Sequence, residues 1–156
     1  MAETNAILRF IHSDAAASLR TEEYLNGDTR PDDGEEVPES EQMVIEALES
    51  ADTASRIERL NAQQFDAWFE YCEERDLMAI AQALKHFSPQ AVYLYFADDE
   101  EYNTVWDLTG GKPKRLYQFK GTTTLDLELM DLGWGSAGLD RVIALKQKTS
   151  RTGRQK

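Results

Sequence analysis

The chain has 156 residues, a net charge of −12 and 41% hydrophobic residues, among them six Phe, six Tyr and three Trp. That is enough apolar material for one packed domain, and it excludes wholesale disorder. A single cysteine, Cys72, excludes an internal disulfide framework; with no apolar run of membrane-span length and no secretory signal pattern, the expectation is a cytoplasmic protein away from membranes.

In chain order, Ile7, Leu8, Ile11, Ala15 and Leu19 recur at helical spacing, and Asn26-Gly27 supplies a stop, so a first helix is predicted over 4–25. The acid-, proline- and glycine-rich stretch 27–39 reads as a loop. Residues 1–38 are therefore expected to form an arm, a helix plus an acidic linker, outside a core domain of 39–146. A helix begins after Ser40, with Met43, Val44, Ala47, Leu48 and Ala51 on one face, and its pattern extends through Ile57 and Leu60. Asn61 and Gln64 resemble a capping box for another helix, in which Phe65, Trp68, Phe69 and Cys72 form an apolar stripe. A further helix carries Leu77, Ile80, Ala81 and Leu84 inward and ends near Phe87, before Ser88-Pro89.

From Pro89 to Gly121 the pattern changes. Three runs rich in β-branched and aromatic residues, 91–97, 103–108 and 115–120, are separated by the acidic turn 98–101 and by Thr109-Gly-Gly-Lys-Pro113. They predict an antiparallel meander. Leu125, Leu127 and Leu129 alternate with acids and favour a strand, although a short helix also fits; 139–146 stays open between strand and helix. The last residues, 147–156, read as a basic disordered tail. The fold class expected is α+β: three to four amphipathic helices followed by a small antiparallel sheet.

Charge is uneven: residues 1–111 sum to −18 and residues 112–156 to +6. An acidic body repels free nucleic acid and attracts basic proteins. On the helical reading, Asp66, Glu70, Glu73 and Glu74 form a column of negative charge, and Asp98, Asp99, Glu100 and Glu101 add an acidic turn. One i, i+4 step rises about 6 Å, so such a column presents regularly spaced charge in the manner of a nucleic-acid mimic.

The chemistry-bearing motifs are weak. Gly133-Trp-Gly-Ser-Ala-Gly138 matches G-x-G-x-x-G, but too little chain follows for a second strand of a βαβ unit, so a tight turn under Trp134 is the reading preferred. Thr109-Gly-Gly-Lys112 lacks phosphate-loop spacing. Two histidines, His12 and His86, with one cysteine suggest no zinc site, and no cofactor or metal is expected. The function expected is a non-enzymatic interaction protein that binds a basic partner protein, in its sharpest form an inhibitor or regulator of a nucleic-acid-acting machine. Two alternatives stand beside it: a small enzyme with a carboxylate-based site, and a nucleic-acid binder acting through the basic tail.

Overall fold

The computed structural model describes residues 4–27, 39–49, 51–98, 103–120 and 123–154. Its elements in chain order are β1 (Thr4–Ile11), α1 (Ala15–Asn26), α2 (Gln42–Leu48), β2 (Arg56–Asn61), β3 (Gln64–Glu70), α3 (Glu74–Leu84), β4 (Ala91–Asp98), β5 (Asn103–Asp107), β6 (Lys114–Gln118), α4 (Thr124–Leu132) and α5 (Gly135–Arg154). The six strands form one antiparallel sheet in the order β2-β3-β1-β4-β5-β6.

This overturns the expected succession of helices followed by a small sheet. Strands come before, between and after helices, and β1, expected in an arm, is an interior strand paired with both β3 and β4. The connectivity from β1 to β4, with α1 and α3 as the two long helices, is the split β-α-β arrangement of ferredoxin-like folds. The hairpin strands β5 and β6 lengthen it.

Alternation within the strands explains the layering. Ala6, Leu8 and Phe10 on β1, Phe65, Ala67 and Phe69 on β3, and Val92, Leu94 and Phe96 on β4 face one side. Tyr24 and Leu25 of α1, Val44 and Leu48 of α2, and Leu77, Ile80, Ala81 and Leu84 of α3 pack against them. The opposite face presents Ile7, Tyr93, Tyr95 and Val105, and is roofed by Leu129 of α4 with Leu139 and Val142 of α5. The result is a three-layer sandwich in which the interior strands are buried on both faces.

Local signals account for the helix boundaries. Asp14 caps α1 by accepting from the Ala16 N–H, and Gly27, with φ 79°, ends it in the left-handed region. The segment expected as a strand around Leu125–Leu129 is α4, opened by a reciprocal capping box between Thr123 and Asp126. Helix α5 covers 139–146 and runs on to Arg154, where a disordered tail was expected.

Candidate partner-binding site at the acidic end

The register fixes which loops share an end of the sheet. Thr4 lies opposite Asp98, and Asn5 opposite Glu70, so the start of β1 and the ends of β3 and β4 coincide. The link from β3 into α3 is tied there: the Tyr71 N–H donates to the Thr4 carbonyl (3.0 Å), and Thr4 Oγ1 donates to the Cys72 carbonyl (3.0 Å). The end of α1 joins the same end, since the Ala54 N–H donates to the Leu25 carbonyl (2.8 Å) and the Ser55 N–H to the Trp68 carbonyl (2.7 Å). Four of the acids singled out in the sequence, Glu70, Glu73, Glu74 and Asp98, thus reach one end of the molecule. They do so on a strand end, a helix start and a second strand end, not as a helical column. Asp99, Glu100 and Glu101 fall outside the described residues.

Asp66 does not belong with them. It sits within β3, fully buried on the face under α5, directly opposite Arg9 of β1. Arg9 Nε donates to Asp66 Oδ1 (2.7 Å) and Nη2 to Oδ2 (2.9 Å), Ser136 Oγ donates to Oδ2 (2.7 Å), and Arg9 Nη1 reaches Asp140. Burial works against the Arg9 charge, but the hydrogen bonds and charges of Asp66 and Asp140 outweigh it and hold the guanidinium above its ordinary pKa. The cluster fastens the first turn of α5 to the sheet.

Around the β3–α3 link the chain builds a surface with charge, shape and an aromatic. Glu73 is the N-cap residue of α3, and Glu74 and Asp76 lie in its first turn, where the helix dipole favours negative charge. Glu74 accepts from Trp106 Nε1 (3.0 Å), which makes it partly structural, while Glu73 makes an exposed ion pair with Arg75. Tyr71 stands between Glu70 and Glu73 with 63% of its surface exposed and φ at 59°, a left-handed conformation that costs a bulky residue about 1 kcal/mol or more. A groove of about 250 Å³ opens beside it between α2 and α3, lined by Ala47, Ala51, Asp52, Cys72, Asp76 and Ile80, among others. Its lining mixes small apolar side chains with two acids, Asp52 and Asp76.

Cys72 is no nucleophile in this setting. Burial, then the hydrogen bond to Asp52 (3.4 Å) and the charges of Asp52 and Asp76, push its thiol up to about 12, so it stays protonated. Among the described residues no three His, Cys, Asp or Glu side chains group so as to hold a metal ion. His12 is buried with Nε2 against Thr21 Oγ1 (3.0 Å), and His86 packs edge-on against Phe87. The glycine motif is the turn between α4 and α5. Gly133 caps α4, Gly135 (φ 67°) meets the Trp68 ring where an added Cβ would come within 3.1 Å, and Trp134 packs among Tyr95, Tyr117 and Phe119. With a helix before it rather than a strand, it does not present a dinucleotide loop.

Sequence reasoning missed Tyr71 and the groove that Asp52 and Asp76 both line. No local pattern marks either one; both depend on the β3–α3 link folding back against the region after α2. Among the described residues no helix is long and apolar enough to cross a membrane. Comparison of the chain with protein-family models, curated proteins and solved structures finds no match.

Proposed function

We propose that this protein is a non-enzymatic interaction protein whose acidic end binds a basic partner protein, in its sharpest form as an inhibitor or regulator of a nucleic-acid-acting machine. The observation that carries the reading is the surface around the β3–α3 link. Exposed Glu70 and Glu73 flank an exposed Tyr71, and a groove lined by small apolar side chains and two acids, Asp52 and Asp76, lies alongside. Tyrosine supplies contact area at small entropic cost, and surrounding carboxylates steer and orient a cationic partner. The net charge of −12 adds long-range attraction for such a partner.

A tagged pull-down from the host lysate at low and moderate salt, read by mass spectrometry, tests this. A basic nucleic-acid-binding protein that is released as salt rises supports the reading. Recovery of only neutral or acidic proteins with salt-insensitive retention contradicts it.

A further inference from the structure

One corner of the sheet face beneath α5 carries a second cavity, of about 330 Å³, lined by Asn5, Ser55, Arg56, Trp68, Phe69 and Glu70. The strand register places its polar groups side by side: Arg56 lies opposite Trp68 across β2 and β3, and Glu70 opposite Asn5 across β3 and β1. Arg56 stacks on the indole, with its guanidinium carbon 4.2 Å from the ring centroid, which orders the fork without consuming its donors. Each of Arg9, Arg20, Arg59, Arg75 and Arg141 meets a carboxylate. Arg56 has no such ion pair among the described residues, and neither does Glu70. A cation and an anion thus line one cavity without joining each other.

Two unpaired opposite charges in one cavity fit a ligand that brings both complements. We propose that this cavity binds the C-terminal carboxylate of a basic peptide segment. Arg56 takes the carboxylate as a bidentate fork, Glu70 takes the ammonium or guanidinium of the terminal Lys or Arg, and the Asn5 amide takes the main chain. The assignment rests on the acidic-end reading for the basic character of the partner, and it names how such a partner is oriented. Trp68 lines the cavity, so its fluorescence reports occupancy.

The test titrates the full chain with acetyl-Gly-Gly-Lys bearing a free C-terminal carboxylate, with the same peptide as its C-terminal amide, and with free lysine, by fluorescence and calorimetry. The expected result is that the free acid binds about tenfold more tightly than the amide, a ratio set by one charged hydrogen-bonded contact. Arg56→Gln removes that difference, and Glu70→Gln weakens acid and amide together. Binding of free lysine as tight as that of the peptide supports the same two contacts and identifies the source as a free amino acid. Equal binding of acid and amide to the unaltered protein overturns the carboxylate site, as does an acid-over-amide preference that survives Arg56→Gln. If the amide still binds in a salt-sensitive way that Glu70→Lys with Glu73→Lys abolishes, the acidic-end reading stands while the carboxylate site falls.

Discussion

Replacing Asp66 by alanine tests the buried cluster that joins β1, β3 and α5. Asp66 is 0% exposed and accepts three hydrogen bonds, two from Arg9 and one from Ser136. Its removal leaves the Arg9 guanidinium, 3% exposed, with Asp140 as its remaining carboxylate and Asp140 itself 62% exposed. Breaking a buried pair by deleting one partner costs about 3–5 kcal/mol, because the surviving charge stays desolvated. Ordinary domains are stable by about 5–15 kcal/mol, so the variant should be folded but marginal. With a urea slope of about 2 kcal/mol/M, the unfolding midpoint should fall by roughly 2 M. Arg9→Met combined with Asp66→Leu removes both charges and should recover most of the loss. A cost below about 0.5 kcal/mol for Asp66→Ala, the range of an exposed surface change, would refute the reasoning and return Asp66 to the solvent face.

Three further outcomes follow from single residues. Burial, then the Arg59 charge, hold His12 below its ordinary value of 6.5, against a smaller opposite pull from Asp14. The unfolded chain therefore binds a proton that the folded chain refuses: this contribution is complete above that value and is lost as pH falls below it, by up to about 1.4 kcal/mol per pH unit. Urea midpoints at stepped pH for the unaltered protein and His12→Asn check it, the variant giving the flatter profile. Cys72, pushed up to about 12, should alkylate at pH 8 at least about a hundredfold more slowly in the folded protein than in urea. Tyr71→Gly relieves a left-handed tyrosine but adds freedom to the unfolded chain, so stability should stay within about 1 kcal/mol while partner affinity drops.

The residues themselves show why part of the fold was legible. Helix α3 was readable because Leu77, Ile80, Ala81 and Leu84 keep a clean helical stripe, and β4 to β6 because Gly, Pro and acidic turns punctuate β-rich runs. β1 was misread because a strand buried on both faces does not alternate. Ala6-Ile-Leu-Arg-Phe-Ile11 is apolar but for Arg9, and only the short polar break His12-Ser13-Asp14 separates it from α1, so Ile7, Leu8 and Ile11 fall into helical spacing with Ala15 and Leu19. β3 was misread because Phe65, Trp68, Phe69 and Cys72 satisfy a helical stripe as well as Phe65, Ala67 and Phe69 satisfy a strand. Asn61 caps only a hairpin turn, accepting from the Gln63 N–H (2.8 Å). That one ambiguity carried Asp66 onto an imagined wet helix face. Glu70, Glu73 and Glu74 survived the error because chain proximity kept them near one another in either fold. Arg56 beside Glu70 could not be read at all, since strand pairing brings them together.

The most direct test of the acidic end is the affinity of Glu70→Lys with Glu73→Lys for the basic protein recovered from lysate, titrated beside the unaltered chain at low and moderate salt. Both side chains are exposed, so circular dichroism should be unchanged, and the lost dipole and ion-pair contacts of Glu73 should lower the urea midpoint by no more than about 0.5 M. Binding should weaken at least tenfold, about 1.4 kcal/mol, with a shallower salt dependence. Equal affinity and equal salt dependence in the two proteins would contradict the assignment of this surface to the partner.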